Sequence, residues 1–129
     1  MKRISEWLKA WLPSMMSRPV AEERKIRINE DGFEVRSDKE IERAVKWERV
    51  RLIDAFKRDL FTVDLICLRF YEQGEGLPVE VNEEMDGFGP LVDALPMKFE
   101  GFDQAWWDKV AKPAFATNLT ELWTSDSPI

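Results

Sequence analysis

Carboxylates are the side chains of this sequence with the best means of doing acid–base chemistry. The chain has 129 residues, with 25 Asp and Glu and no His, so His-dependent triads, His proton shuttles and His-ligated metal sites are excluded. Asp54, Asp59 and Asp64 recur at even spacing, and a second acidic group spans Glu80 to Asp86. Two such carboxylates act as acid and base when burial separates their pKa values. Neither group lies in a recognisable enzyme motif, so the sequence predicts a protein that is not an enzyme and has no catalytic residue.

Metal and cofactor sites are not predicted either. The stretch from Asn82 to Gly87 offers oxygen ligands, but it lacks the alternating acidic spacing and the terminal Glu of an EF-hand loop. Cys67 is the only cysteine and lies in an apolar run, which is typical of a small buried core residue. One cysteine forms neither an internal disulfide nor a thiolate zinc cluster, and no glycine-rich loop is present to hold phosphate.

The charge distribution is uneven along the chain. The net charge is −6, which argues against a nucleic-acid partner, since such proteins need a basic surface to displace counterions. Residues 1–63 carry 15 basic and 12 acidic side chains, whereas residues 64–129 carry 4 and 13. The asymmetry either produces two electrically different faces or disappears if the fold interleaves the two halves.

The N-terminal stretch has the pattern of an amphipathic helix. Apolar residues recur at helical spacing from Ile4 to Met16, and Pro13 interrupts them, so the predicted helix runs from Ser5 to Leu12. A helix this short is stable only against an apolar surface. Its candidate interaction residues are Trp7, Leu8, Trp11 and Leu12. Residues 1–24 are therefore interpreted as a helix with its connector. The helix contacts its own domain, another chain or an anionic membrane, and another chain is favoured because residues 17–19 break the connection.

Residues 25–129 are interpreted as one domain that begins with strands. Alternation on both sides of Glu30–Gly32 predicts a β-hairpin with Ile26, Ile28, Phe33 and Val35 on one buried face. Residues 41–45 fit a short strand or a helical turn. Residues 47–58 and 61–71 favour two longer strands, and residues 77–81 predict another strand. The alternation of the first slips, which indicates either a bulge near Leu52 and Ile53 or a strand covered on both faces.

Helical spacing replaces alternation after Asn82. The pattern predicts one helix from Gly89 to Pro96, a second from Asp103 to Pro113, and a short helix between residues 115 and 123. Trp106 and Trp107 are also candidate interaction residues. Neighbours on a helix point about 100° apart, so either one of the two is an exposed anchor or both lie in a wide apolar stripe.

The strand and turn sequences resemble those of a known group of proteins. Ile26–Ile28, Asp31–Phe33, Trp47–Val50, Asp64–Leu68 and Glu83–Phe88 together look like uncharacterised bacterial proteins with a PH-like (pleckstrin-homology-like) barrel. The resemblance covers roughly residues 25–123. It implies an α+β fold, with a small antiparallel β-barrel or half-barrel closed by C-terminal helices and with the N-terminal amphipathic helix appended. It also implies a binding or scaffolding module without a cofactor.

The sequence therefore favours a cytoplasmic, non-enzymatic protein-binding or scaffolding module. Its partner is another protein or a second copy of the chain. One alternative is an immunity-type protein that neutralises a toxin, since small acidic domains suit partners with basic active sites. Another is peripheral association with an anionic membrane surface through the N-terminal helix, because residues 1–18 carry four basic side chains and one acidic side chain.

Overall fold

The computed structural model describes residues 24–38, 40–60, 63–74, 76–112 and 117–125. These residues form two antiparallel sheets and two α-helices. In chain order, the elements are β1 (Lys25–Ile28), β2 (Gly32–Arg36), β3 (Ile41–Lys46), a 3-10 helix (Trp47–Arg49), β4 (Val50–Asp59), β5 (Asp64–Glu72), β6 (Val79–Asn82), α1 (Phe88–Lys98), α2 (Trp106–Ala111) and β7 (Thr120–Thr124). One sheet has the order β1-β2-β3 and the other the order β6-β5-β4-β7.

The first hairpin forms where the sequence predicts it. The Asn29 side chain accepts hydrogen bonds from the backbone N–H groups of Asp31 and Gly32, which fixes the turn between β1 and β2. Ile28 then pairs with Phe33, so the apolar residues of the two strands share one face. The prediction of a buried hairpin face is confirmed, although Ile28 is only half-buried.

The core lies between the two sheets and under the helices. The Phe33 ring packs at 4.8 Å from the Phe70 ring and at 5.7 Å from the Trp47 ring, which joins the three-stranded sheet to the four-stranded one. The helices add Phe88, Leu91, Leu95, Trp106 and Val110 to this core. Aromatic pairs at these distances add roughly 1 kcal/mol to the gain from burial alone.

The described residues form two separate sheets, which confirms the α+β class but not a closed barrel. The chain leaves the first sheet through the 3-10 helix that starts at Trp47, at a point where the sequence predicted a strand. At the start of β1, Lys25 forms an isolated bridge with Asp86, and the N–H of Ile26 donates to the Asp86 carbonyl at 2.7 Å. A single bridge to a turn takes the place of the strand pairing that closes a barrel.

Both helices differ in extent from the prediction. Helix α1 continues through Pro96 to Lys98, because buried Leu95 holds the last turn and the Phe99 N–H still bonds to the Leu95 carbonyl. A proline in the last turn removes a single N–H bond, which buried neighbours offset. Helix α2 begins at Trp106, and Asp103 instead accepts from the Ala105 N–H in the preceding turn.

The C-terminal helix predicted between residues 115 and 123 is wrong. Residues Thr120–Thr124 form β7, which pairs antiparallel with β4, so the helices do not end the fold. A short apolar run is compatible with a strand or a helix. Here pairing with the free edge of β4 stabilises the strand. The predicted bulge near Leu52 is confirmed, since the register shifts between Val50 and Leu52.

The predicted N-terminal helix lies outside the described residues, and so do its candidate interaction residues Trp7, Leu8, Trp11 and Leu12. Within the part of the chain that the structure describes, no helix has the length and apolar character needed to cross a bilayer.

Candidate functional site

The three regularly spaced aspartates do not come together as an acid–base centre. Asp54 pairs with Arg69, and Asp64 lies 3.3 Å from the Nζ of buried Lys57. Asp59 and Asp64 face each other across the β4–β5 hairpin, at the opposite end of the strands from Tyr71. Among the described residues, no three acidic or cysteine side chains are arranged to hold a metal ion.

The outer face of the four-stranded sheet carries an ordered group of charged and aromatic side chains, which we call the platform. Alternation in β4 turns Ile53 and Ala55 toward the core and leaves the intervening side chains on the other face. The register of β4 with β5, and of β5 with β6, then brings residues of the three strands together. The platform consists of Asp54, Phe56, Arg58, Arg69, Tyr71 and Glu80.

Asp54 is the centre of the platform. Nε and Nη2 of Arg69 each donate to one of its carboxylate oxygens at 2.9 Å, and the Tyr71 hydroxyl donates at 3.2 Å. Asp54 is only 7% exposed. The carboxylate hydrogen bonds raise the pKa of Arg69, while burial and then the Asp54 charge raise the pKa of Tyr71. Arg69 therefore stays cationic and Tyr71 stays neutral, in one fixed arrangement.

Phe56 connects this centre to a more exposed ion pair. The guanidinium carbon of Arg69 lies 4.8 Å from the centre of the Phe56 ring, and that of Arg58 lies 5.2 Å from it. Arg58 Nη2 donates to Glu80 Oε2 at 2.6 Å, and the two side chains are 49% and 37% exposed. The Phe56 ring therefore attracts both guanidinium groups through cation–π contacts.

Cys67 belongs to the same face of the sheet but is not accessible. It pairs with Phe56 across the strands and is 0% exposed. Burial raises the pKa of its thiol to about 12, and the nearby Glu80 charge adds to the effect. A thiol that stays protonated at neutral pH is a poor nucleophile. The buried position predicted from the sequence is confirmed.

Cys67 is expected to make the protein less stable in alkali. The thiol ionises in the unfolded chain near its ordinary pKa of 9.0 but in the folded chain only near 12, so stability falls as pH rises between these values. The difference in unfolding free energy between the wild type and Cys67→Ala should shrink by about 1.4 kcal/mol per pH unit above pH 9. Urea titrations of both proteins over that range measure it. A constant difference would contradict the shifted pKa.

The two adjacent tryptophans of α2 have different environments. Trp106 is buried in the core, whereas Trp107 is 42% exposed, and their rings meet edge to face at 5.3 Å. Trp107 lines a depression of about 400 Å³ together with Phe88 and Val92 of α1. We call this depression the groove. The structure confirms the alternative in which one of the two tryptophans is exposed.

Acidic side chains border the groove. Glu83 and Asp93 both line it. Glu83 is held in position because its Oε2 accepts a hydrogen bond from the Ile66 N–H at 2.9 Å. The lining of the groove therefore combines apolar and negatively charged side chains, which suits a segment that is both apolar and basic.

The platform was not predicted as a group from the sequence, which singled out only its two carboxylates, Asp54 and Glu80. The alternation of each strand does indicate part of the platform. Asp54, Phe56 and Arg58 lie on one face of β4, and Arg69 and Tyr71 lie on one face of β5. Grouping them requires the hairpin register that places Asp54 opposite Arg69.

Searches against protein-family models, curated proteins and solved structures find no match to this chain.

Proposed function

We propose that this protein is a non-enzymatic protein-binding module and that the platform is its contact surface. The observation that carries the proposal is the fixed position of Arg69, which two hydrogen bonds to Asp54 and a stack on Phe56 hold before any partner arrives. Arginine and aromatic residues are enriched in protein interfaces. Side chains that are already ordered lose less entropy when they are buried by a partner.

The chemistry of the platform favours binding over catalysis. The Asp54 carboxylate is occupied by Arg69 and Tyr71, which leaves it a poor general base. Arg58 and Glu80 neutralise each other at the more exposed end. The platform therefore carries two basic and two acidic groups, and this balance suits a mixed protein surface better than a polyanion such as nucleic acid.

We also propose a PH-like half-barrel as the scaffold and the cytoplasm as its compartment. The long antiparallel hairpin of β4 and β5 and the three-stranded meander that precedes it support the scaffold. A lone cysteine that is buried as a free thiol is compatible with a reducing compartment.

Affinity capture with the full-length chain tests the protein-binding function. Arg58→Glu reverses the most exposed charge of the platform, and Arg27→Glu is the matched control on the three-stranded sheet. We expect a protein retained by the wild type to be depleted about tenfold by Arg58→Glu, which corresponds to about 1.4 kcal/mol, and to be retained by Arg27→Glu. Failure to retain any protein, or equal retention by the wild type and Arg58→Glu, would contradict the proposal.

A further inference from the structure

The outer face of the three-stranded sheet is basic, although the whole chain carries a net charge of −6. Apolar residues of β1, β2 and β3 are buried in the core, so alternation turns their neighbours outward. The basic side chains that share this outer face are Lys25, Arg27, Arg36 and Lys46. The two carboxylates of the three strands are already engaged, Glu34 with Arg36 and Glu42 with Arg24, each at 2.9 Å. Positive charge is therefore in excess on this face.

Two of these cations lie directly opposite each other. Lys25 is paired with Arg36 across β1 and β2, a position that holds their Cβ atoms about 5 Å apart. Like charges so placed repel each other and destabilise the sheet. Glu34 lies opposite Arg27 but bonds to Arg36, and within the described part of the chain neither Lys25 nor Arg27 forms an ion pair. An anion bound beside Lys25 and Arg36 would relieve their repulsion.

The same part of the sheet forms a pocket of about 330 Å³, which we call the basic pocket. Its lining includes Lys25, Arg27 and Arg36, together with Ser37, Asp38 and Asp86. The Ile26 N–H donates to the Asp86 carbonyl at 2.7 Å, which fixes the start of β1 against the turn before α1. Sites for small molecules commonly have volumes of about 300–1,000 Å³, and a charged lining suits a polar ligand.

We propose that the basic pocket binds the phosphate group of a small, hydroxyl-bearing phosphate ester. Lysine and arginine form charge-assisted hydrogen bonds with phosphate, and arginine donates two in parallel. Asp38 and Asp86 restrict the rest of the ligand, because carboxylates repel a second anionic group and accept hydrogen bonds from hydroxyls. The pocket therefore favours one phosphate on a neutral polyol over a polyphosphate or a nucleic acid. Side chains of the sheet supply the donors, so no glycine-rich loop is required.

Calorimetric titration of the full-length protein tests the proposal with three probes, which are inorganic phosphate, glycerol phosphate and glycerol. The ionic strength is held constant, so that screening is the same in every titration. We expect both phosphates to bind, with glycerol phosphate bound about tenfold more tightly than inorganic phosphate because its hydroxyls reach acceptors in the pocket. Glycerol alone should not bind.

Two variants of the sheet face locate the binding. Lys25→Gln removes a charge from the basic pocket, and Lys46→Gln is the matched control, since it removes the same charge from the same face outside the lining. We expect Lys25→Gln to weaken the binding of glycerol phosphate about tenfold and Lys46→Gln to change it by less than about twofold. Both side chains are exposed. Without phosphate, Lys25→Gln should unfold at the same or a higher urea concentration than the wild type, because the repulsion from Arg36 is removed.

Three results would overturn the proposal. The first is the absence of binding by both phosphates. The second is equal loss of binding in Lys25→Gln and Lys46→Gln, which would assign the attraction to the general charge of the sheet face. The third is binding to vesicles that contain phosphatidic acid but not to glycerol phosphate, which would assign the phosphate to a membrane surface. Arg58→Glu should bind glycerol phosphate like the wild type, so this proposal and the one for the platform fail separately.

Discussion

Replacing Gly87 by alanine is expected to destabilise the protein by about 3 kcal/mol or more. Gly87 has a φ of +96°, which side-chain-bearing residues rarely adopt, and a Cβ there would lie 2.1 Å from the carbonyl oxygen of Ile26. Relieving that contact displaces β1 from the turn at Asp86 and breaks the hydrogen bond that joins them. The measurement is the free energy of unfolding from urea titration.

Gly89 supplies the control for this prediction, since it lies two residues further along, in the first turn of α1. Nothing lies within 4 Å of a Cβ placed at Gly89, and its φ is not positive. Gly89→Ala should therefore be neutral or stabilising by up to about 1 kcal/mol, because alanine restricts the unfolded chain and favours the helix. Equal stability of Gly87→Ala and Gly89→Ala would contradict the role assigned to the turn.

Replacing Asp54 by alanine is expected to cost about 2–3 kcal/mol of stability and to abolish partner binding by the platform. The substitution removes both acceptors of Arg69 and the acceptor of Tyr71. Because the Arg69 side chain is half-buried, at 27% exposed, its charge is left with less compensation. Unfolding titrations and affinity capture measure the two effects.

The control for Asp54 lies on the same face. Glu80 forms the exposed ion pair with Arg58, and exposed pairs contribute only about 0.2–1 kcal/mol. Glu80→Ala should therefore change the unfolding free energy by less than about 1 kcal/mol. Asp54→Ala and Glu80→Ala with equal unfolding free energies would show that burial of the Asp54–Arg69 pair has no energetic consequence.

Local signals in the sequence predicted much of the fold. The Asn29 to Gly32 turn and the alternation around it are sufficient to define the first hairpin, since side chains within four residues make the turn. The bulge near Leu52 was visible as a slip in alternation. The strand β7 was not predictable in this way, because its partner β4 lies about 70 residues earlier in the chain.

The candidate sites were likewise predicted in part from local sequence, and the rest depended on contacts between distant residues. Helical geometry predicts that Trp106 and Trp107 point in different directions, but only the packing of α2 against the sheet decides which one is buried. Alternation places Asp54 on one face of β4. The pairing of Asp54 with Arg69 depends on the register of the β4–β5 hairpin, which turn geometry sets at a distance from both residues.

The late position of β7 in the chain has a consequence for synthesis. On the ribosome, β4, β5 and β6 emerge first. The β4 edge that β7 covers stays unpaired until residues 120–124 have been added. That edge presents unpaired backbone groups, which other strands bind readily. Chains interrupted before residue 120 should therefore aggregate or engage chaperones, whereas released full-length chains complete the four-stranded sheet in a single long-range closure.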